Sequence, residues 1–187
     1  MKVAVLDHGM GNLRSVAKAL EEAAADVAVT SRHHEIESCD ALCVPGQGIF
    51  GRCMSNIKRA RTDELIADWI AADRPYLGIC LGMQILFEAS EEESSEGLGI
   101  LAGRVTRLPS SVRVPHIGWN EVNGEHYYFD HSYAVHPVEE SIVAGWCEHG
   151  ERFAAWVEAG TTTAVQFHPE KSSRVGIGLL RRWVQAA

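Results

Sequence analysis

The sequence predicts an α/β fold in which a mixed β-sheet is flanked by helices, and three observations support it. Short apolar runs alternate with helical stretches over the first 90 residues, the pattern of a parallel sheet. From Gly103 onward the runs are strand-like and closely spaced, which favours antiparallel strands. The chain has 187 residues, near the size of one domain of about 150, and no linker or repeat divides it. We therefore expect a single domain over residues 1–187.

In the first half, each predicted strand is a short apolar run that ends in turn-forming residues. The first strand ends at Asp7 and a glycine-rich turn, and Pro45-Gly46 ends the third. The helices carry apolar residues at helical spacing, as in Leu65, Ile66 and Trp69. The predicted elements are, in order, a strand Val3–Leu6, a helix ending near Glu22, strands Asp26–Thr30 and Ala41–Val44, helices Cys53–Arg59 and Asp63–Ala71, a strand Tyr76–Ile79 and a helix Leu81–Ala89.

The second half is rich in aromatic and β-branched residues, which antiparallel strands favour. It follows an acidic, serine-rich stretch, Glu91–Glu96, that we expect to be a loop. A last helix over about Ser173–Gln185 closes the chain. The predicted strands are Arg104–Leu108, Ile117–Val122, Tyr127–Val135, Val143–Cys147, Phe153–Glu158 and Thr163–Phe167.

Composition excludes several classes of protein. Lys and Arg total 17 against 25 Asp and Glu, a net charge of −8, whereas nucleic acids and anionic membranes select for basic surfaces. No apolar run approaches the roughly 18 residues of a membrane span. The short apolar run after Lys2 is also too brief for a signal-peptide core. We expect a cytoplasmic protein with no nucleic-acid or membrane partner.

The cysteines do not predict a disulfide framework or a metal site. Their number is odd, their spacing is irregular, and no C-x-x-C pair occurs. Cys39, Cys43, His33 and His34 could be imagined as a metal cluster. Cys43, however, lies in the apolar run Ala-Leu-Cys-Val, where a thiol packs as a small hydrophobic residue.

Gly78-Ile-Cys-Leu-Gly82 follows a predicted strand and opens a predicted helix, which is the setting of a nucleophile elbow. The glycines make room for a sharp turn in which side chains at their positions would collide. Cys80 would lie at a helix N-terminus, which favours the thiolate. The backbone N–H of Leu81 could then stabilise an oxyanion. A buried cysteine in a glycine-containing turn is the alternative reading.

Gln166-Phe-His-Pro-Glu170 ends the last predicted strand and contains the other groups that a thiol nucleophile needs. His168 can act as a general base, and Glu170 is near enough to accept its second ring N–H and fix the tautomer. A histidine near a glutamate is by itself more often a solvated polar pair. Because functional groups in α/β sheets gather at the carboxyl ends of strands, we expect Cys80 and His168 to meet there.

Three motifs in this order resemble the class I (triad) glutamine amidotransferases. They are Pro45-Gly-Gln-Gly48, Gly78-Ile-Cys-Leu-Gly-Met-Gln84 and Phe167-His-Pro-Glu170, and they span most of the chain. The resemblance implies a flavodoxin-like fold and hydrolysis of the side-chain amide of L-glutamine. It implies Cys80 as the nucleophile, His168 as the acid/base and Glu170 as the residue that orients it.

The same resemblance implies further site residues and no metal or organic cofactor. Gln84, Ser132 and Tyr133 match positions that hold the amino-acid end of glutamine. Gln47 and Gly48 match a segment whose backbone N–H completes the oxyanion hole, beside that of Leu81, after a peptide rearrangement.

Other stretches resemble one subfamily, the glutaminase subunits of histidine biosynthesis. They are Asp7–Leu13, Pro45–Phe50, Pro115–Asn120 and His131–Tyr133. This implies a heterodimer with a (β/α)₈ cyclase subunit that receives the ammonia directly, because free ammonia becomes protonated in water. The chain has no P-loop and no G-x-G-x-x-G of its own for an acceptor substrate. The positions that match the partner-facing surface are Asn12, Trp119, Asn120 and Lys171.

The sequence departs from the family pattern at three places. Gln47 stands where valine is common. Asp130 and Ala134 flank His131–Tyr133 where hydrophobic and aromatic residues are usual. The connection between Asn120 and Tyr127 is short. None of these departures removes a predicted catalytic group.

Two other classes stay open at this point. A cysteine-elbow protein of similar fold can be a peptidase, a deglycase-like hydrolase or a chaperone, but those usually place the histidine and acid elsewhere. A non-catalytic regulatory subunit could also retain the fold. The presence of Cys80, His168 and Glu170 together argues against that reading.

Overall fold

A mixed sheet with helices packed on both faces organises the protein, as seen in a computed structural model that describes residues 1–186. Residue 187, the last of the predicted domain, lies outside the described residues. The strands are β1 (Lys2–Leu6), β2 (Asp26–Thr30), β3 (Ala41–Gly46), β4 (Tyr76–Cys80), β5 (Phe87–Ser90), β6 (Ser95–Glu96), β7 (Leu101–Arg107), β8 (His116–Val122), β9 (Glu125–His131), β10 (Tyr133–Pro137), β11 (Val143–Glu148), β12 (Arg152–Ala159) and β13 (Thr162–Val165). The helices are α1 (Leu13–Glu22), α2 (His33–Glu37), α3 (Phe50–Arg59), α4 (Thr62–Ala71), α5 (Leu81–Gln84) and α6 (Ser173–Ala186).

Within residues 1–186, eleven strands form one sheet in the order β2-β1-β3-β4-β13-β12-β10-β7-β5-β6, with β11 added beside β12. The strands from β2 to β13 are all parallel to their neighbours. Beyond β13 the pairs are antiparallel, except that β5 runs parallel to β7. The predicted mixed α/β sheet is therefore confirmed. Its pairing changes from parallel to antiparallel at β13.

The alternation of side chains along β1 shows how the two layers are built. Val3 and Val5 point into an apolar cluster that includes buried residues of α1 and α6. Ala4 and Leu6 point into a second cluster that includes buried residues of α3 and α4. Because successive side chains of a strand face opposite ways, a fully apolar strand must be covered on both faces. No helix among residues 1–186 is long and apolar enough to cross a membrane.

The predicted helix Leu81–Ala89 is wrong in its second half. The helix ends at Gln84, and Phe87–Ser90 pairs with β7 as a strand. Every residue from Leu81 to Phe87 is buried, so the apolar pattern has no exposed face from which a period could be read. Pairing with β7, which is distant in sequence, decides the conformation. The structure also has a short helix, α2, that the sequence pattern did not predict.

The predicted strand Tyr127–Val135 is divided at Ser132 into two strands of different sheets. Before Ser132, β9 pairs only with β8, in a hairpin separate from the main sheet. After it, β10 pairs with β7 and β12 of the main sheet. The hairpin turn is Asn123-Gly124, both with positive φ, which is the signature of a tight two-residue turn. This turn accounts for the short connection between Asn120 and Tyr127.

Glycines shape the turn between β4 and α5. A Cβ atom at Gly82 would overlap the carbonyl oxygen of Val44 on β3, and one at Gly78 would overlap the carbonyl oxygen of Gly82. These backbone atoms of β3 and α5 cannot yield as a flexible side chain can. The turn thus lies against β3 so closely that any side chain at these two positions would displace it.

We expect Gly82→Ala to destabilise the fold by about 2–3 kcal/mol, since the methyl group must push β3 and α5 apart. Urea unfolding followed by circular dichroism measures the change. The control is Gly178→Ala in α6, where a Cβ meets only the end of Arg182 at 3.7 Å. That variant should gain up to about 1 kcal/mol from helix propensity. Equal unfolding midpoints for Gly82→Ala and the wild type would contradict this account of the turn.

Candidate active site

A cavity of about 260 Å³ opens where β3, β4 and β9 end, a size suited to a small metabolite. It is lined by residues that the sequence predicted for a site and by some that it did not. The predicted ones are Gln47, Gly48, Cys80, Leu81, Gln84, Ser132 and Tyr133. The additional ones are Glu92, Pro115, Asp130 and His131.

Cys80 is the last residue of β4 and lines this cavity. Its backbone has φ 54° and ψ −105°, a conformation that residues other than glycine rarely adopt. Such strain persists only where surrounding structure imposes it, and it is concentrated at functional sites. Gly78 and Gly82 provide the space for it on either side. The turn therefore presents the sulfur to the cavity.

His168 lies just beyond β13, the parallel neighbour of β4. Its backbone N–H donates to the carbonyl of Tyr128 on β9 (2.8 Å). The Ser172 hydroxyl donates to the carbonyl of His168 (2.7 Å) and accepts from the N–H of Tyr128 (2.9 Å). The hairpin and the turn after β13 thus hold the histidine from two sides.

The imidazole of His168 and the carboxylate of Glu170 form a buried pair. His168 Nδ1 donates to Glu170 Oε1 at 2.8 Å, which leaves Nε2 as the nitrogen available to Cys80. Within the described chain, Nε2 has no hydrogen-bond partner of regular geometry. Burial alone would lower the pKa of His168, but the charge of the Cys80 thiolate and the bond to Glu170 outweigh it and raise the pKa to about 10. The arrangement thus favours the charged imidazolium form of His168 beside Cys80.

Two buried glutamine side chains join the nucleophile turn to the cavity wall. Gln84 Nε2 donates to the carbonyl of Tyr133 and to Gln166 Oε1, each at 3.0 Å. Gln166 Nε2 in turn donates to the sulfur of Cys80 at 3.5 Å. Both amide hydrogens of Gln84 are therefore committed, and only its Oε1 can receive a hydrogen bond from a ligand. Gln166 was not among the predicted site residues, although it directly precedes the Phe-His-Pro-Glu motif.

A chain of hydrogen bonds connects two buried histidines to the cavity wall. Asn120 Nδ2 lies 3.2 Å from His116 Nε2, and His116 Nδ1 lies 2.9 Å from His131 Nε2. His131 Nδ1 lies 2.8 Å from the carbonyl of Tyr133. Since that carbonyl can only accept, His131 donates from Nδ1, His116 donates to His131, and Asn120 donates to His116. Burial lowers the pKa of His131 to about 3 and that of His116 to about 4, so both are neutral at pH 7.

Glu92 is a cavity residue that the sequence analysis missed. Its Oε2 accepts a hydrogen bond from the backbone N–H of Phe50 at 2.8 Å, which fixes the carboxylate at the cavity. The residue lies in the acidic stretch Glu91–Glu96, where a solvated loop was expected and a 3₁₀ turn is found. In a run of acidic residues, nothing in the sequence distinguishes the one whose side chain turns inward. The sequence therefore could not identify Glu92 as a cavity residue.

The segment Pro45–Gly48 lies directly against the nucleophile turn. A Cβ atom at Gly46 would approach the Cβ of Leu81 to 2.7 Å. Gln47 and Gly48 line the same cavity as the Leu81 backbone. Two separate parts of the chain, the residues after β3 and the start of α5, thus adjoin at this cavity.

The residues predicted to face a partner come from three places, namely Asn12 before α1, Trp119 and Asn120 on β8, and Lys171 after β13, and they differ in exposure. Trp119 is 52% exposed, and Ile117 beside it on β8 is 58% exposed. Asn12 is exposed and caps α1 by accepting from the N–H of Ser15 (3.3 Å). Asn120 also donates to the carbonyl of Glu148 (2.9 Å), so its amide has an internal structural role.

The described residues contain no group of three or more His, Cys, Asp and Glu side chains that could hold a metal ion. Within residues 1–186 there is thus no metal cluster of the kind considered for Cys39, Cys43, His33 and His34. All five cysteines are free and buried. Burial raises the pKa values of Cys43, Cys53 and Cys147, so these three thiols stay protonated.

The model of the glutamine amidotransferase class-I family matches residues 4–185. The chain therefore belongs to the class I glutamine amidotransferases, and the family predicted from its motifs is confirmed. Curated relatives that align over nearly their full length show which part of the family the chain resembles. Two proteins named imidazole glycerol phosphate synthase subunit HisH, from Rhodopirellula baltica and Aquifex aeolicus, are each 42% identical to it. The alignments cover 98% and 100% of this chain and 97% and 98% of those proteins.

Solved structures agree with the fold. A crystal structure described as a glutamine amidotransferase has a TM-score of 0.80 to this chain at 20% identity and covers 99% of both chains. PurLQS from Thermotoga maritima has a TM-score of 0.73 at 19% identity and covers 99% of this chain and 96% of that one. At these low sequence identities, the structural similarity establishes the fold and nothing more.

We expect Cys80→Ser to lower the pKa of His168 from about 10 towards its ordinary range, because the thiolate that stabilises the imidazolium is gone. Nuclear magnetic resonance of the imidazole measures the titration. The stability that this ion pair adds is present below about pH 6.5 and lost as the pH rises towards 10. Cys147→Ser, which removes a buried thiol outside the cavity, is the control. An unchanged His168 pKa in Cys80→Ser would refute the pairing.

The two buried histidines predict acid sensitivity. Both have a folded pKa below the unfolded value of 6.5, so their stabilisation is present above pH 6.5 and is lost as the pH falls towards 4. Between pH 7 and 5 the expected loss is about 2 kcal/mol for each histidine. Urea unfolding at the two pH values measures it, and His116→Gln should reduce the difference. His34→Gln, at an exposed position, should not. Equal pH dependence in both variants would contradict the prediction.

Proposed function

We propose that this chain is the glutaminase subunit of an imidazole glycerol phosphate synthase, with residues 1–187 forming one amidotransferase domain. It would hydrolyse L-glutamine to glutamate and ammonia and pass the ammonia to a cyclase subunit in histidine biosynthesis. The observation that carries the proposal is the buried series of Glu170, His168 and Cys80, in which Cys80 lines a small cavity. The relatives' name and the family membership support the same reading.

In the proposed mechanism, the Cys80 thiolate attacks the carboxamide carbon of glutamine and forms a carbon–sulfur bond. The carbonyl oxygen becomes an oxyanion, which receives hydrogen bonds from the backbone N–H of Leu81 and from the Gln47–Gly48 segment. Each such donor is worth about 10²–10³ in rate. A rearrangement of that segment, as the family resemblance implies, would complete the second donor.

His168 then moves the protons. As an imidazolium it gives a proton to the departing nitrogen, the carbon–nitrogen bond breaks, and ammonia leaves a thioester on Cys80. The neutral imidazole next takes a proton from water, which attacks the thioester carbon. Glutamate is released and the proton returns to the Cys80–His168 pair. Glu170 keeps the ring oriented through Nδ1 at 2.8 Å and stabilises its charged form.

The rest of the cavity suits the amino-acid end of glutamine. Gln84 offers its free Oε1, while Ser132 and Tyr133 line the same wall. Glu92 holds a carboxylate there and can accept hydrogen bonds from the substrate's ammonium group. A zwitterionic ligand needs partners of both kinds, because a buried charge without one is costly. No metal or organic cofactor takes part in the proposed reaction.

The proposed partner is a (β/α)₈ cyclase subunit that binds this chain as a heterodimer. Ammonia must pass directly to it, since ammonia released to water is protonated and no longer nucleophilic. The exposed Ile117 and Trp119 supply apolar area for such a contact, with Lys171 and Tyr128 beside them. Asn12 and Asn120 are proposed for the same surface. We expect the complex in the cytoplasm, where the five free thiols stay reduced.

The test is glutaminase activity of the chain with its cyclase partner, together with labelling by a glutamine-analogue affinity reagent. Cys80→Ala should lose labelling and at least about 10⁴-fold in kcat. His168→Ala should lose at least about 10²-fold in kcat with a KM near that of the wild type. Cys147→Ser, also a buried cysteine, should keep both activity and labelling.

The outcomes separate the possible explanations. Labelling of another residue, or none at Cys80 with the partner bound, would refute the proposed nucleophile. Loss of glutamine binding in His168→Ala with turnover kept at saturation would refute the role of that histidine. Full activity without the cyclase would contradict the assignment as a synthase subunit.

A further inference from the structure

Two side chains from separate parts of the chain meet at one carboxylate oxygen of Asp130, beside the cavity. Gln47 Nε2 donates to Asp130 Oδ2 at 3.4 Å, across 83 positions of sequence. Lys171 Nζ lies 3.6 Å from the same Oδ2 atom. Gln47 belongs to the segment that follows β3, Asp130 to the end of β9, and Lys171 to the turn after β13. Asp130 thus links the predicted oxyanion segment to the residue next to Glu170.

Two of these residues are the departures from the family pattern noted in the sequence. A valine in place of Gln47 could not donate a hydrogen bond, and a hydrophobic residue in place of Asp130 could not accept one. The two unusual residues are therefore in contact with each other. A contact that needs both substitutions explains them together better than two unrelated surface changes.

Gln47 lies just beyond the end of β3, where Gly46 still pairs with Cys80 of β4 and the carbonyl of Pro45 lies 2.6 Å from His8 Nε2. Gln47 lies between Gly46 and Gly48, and Gly48 has φ +117°, a conformation for which glycine is suited. Gly48 is exposed to solvent. The bond to Asp130 is the only side-chain hydrogen bond that Gln47 makes within residues 1–186. Among its side-chain contacts, that bond is what opposes a rearrangement of the segment.

We propose that Asp130 is a positioning residue that holds Gln47, and with it Gly48, in the resting place of these residues beyond the end of β3. Lys171 orients the carboxylate by sharing Oδ2. This inference rests on the proposed function and describes how the Gln47–Gly48 part of that site is held in place.

The size of the effect follows from the geometry. A hydrogen bond of 3.4 Å is near the upper limit of length, so a small shift of Gln47 breaks it. The side chains of Asp130 and Lys171 are 36% and 29% exposed, which screens their attraction. Because such a bond contributes modestly, release of the segment should raise turnover about three- to fivefold rather than by orders of magnitude.

The first measurement is kcat and KM for glutamine with the isolated full chain. Gln47→Val and Asp130→Ala should each raise kcat about three- to fivefold, with KM within about twofold of the wild type. The double variant should rise no further than either single one, because both remove the same contact. Asp130→Asn should rise less, since its amide oxygen still accepts from Gln47. Asp68→Asn, on the exposed face of α4, is the matched control and should not change kcat.

The second measurement needs no catalysis. Hydrogen–deuterium exchange of peptides covering residues 45–50 should be faster in Gln47→Val and Asp130→Ala than in the wild type and in Asp68→Asn. Lys171→Met should also speed this exchange, but not when Asp130 is already alanine. Unfolding midpoints of all variants confirm that the exchange reports the segment and not a general loss of stability.

The outcomes distinguish this inference from the proposed function. If the wild type with its cyclase hydrolyses glutamine but kcat and exchange are unchanged in the variants, the positioning role of Asp130 is refuted alone. Additive effects of Gln47→Val and Asp130→Ala, or a fall in kcat, also refute it. If the wild type hydrolyses no glutamine under any condition, the proposed function fails, whereas the exchange data still show whether Asp130 holds the segment.

Discussion

The rest of the site depends on the packing of one backbone turn against a neighbouring strand. The turn after β4 approaches the carbonyl oxygen of Val44 so closely that only glycine fits at position 82. This contact imposes the left-handed conformation of Cys80 and places its sulfur in the cavity. Since β4 lies between β3 and β13, the segment after β3 and the histidine after β13 reach the same point. Strand order thus converts three distant motifs into one site.

Burial then sets the electrostatics of that site. A histidine in an apolar interior ordinarily becomes neutral, and this holds for His116 and His131, whose pKa values are low. His168 lies in an equally buried place, yet its pKa is raised because Cys80 and Glu170 supply negative charge. The same fold therefore keeps one histidine charged and two neutral. The neutral pair fixes the carbonyl of Tyr133 at the cavity wall, while the charged one faces Cys80.

How much of this was predictable depends on the range of the interactions involved. The family, the mixed sheet and most elements followed from local patterns and from three compact motifs. The β5 strand did not, because a segment buried on all sides has no amphipathic period and its pairing with β7 is non-local. The sequence also could not predict that Glu92 turns inward or that Gln166 donates a hydrogen bond to Cys80. Both features depend on packing between residues far apart along the chain.

The sequence by itself determined the class of protein and predicted the residues of its chemistry. The glycines around Cys80 and the Phe-His-Pro-Glu stretch are local patterns with direct steric and chemical meaning. Only the tertiary structure decided that His168 is charged while His116 and His131 are neutral, and which carboxylates turn inward. It alone brought Gln47 to Asp130, two residues that the sequence showed only as separate departures. The physical reason is that pKa values and hydrogen-bond partners depend on burial and on neighbours in space, which folding creates.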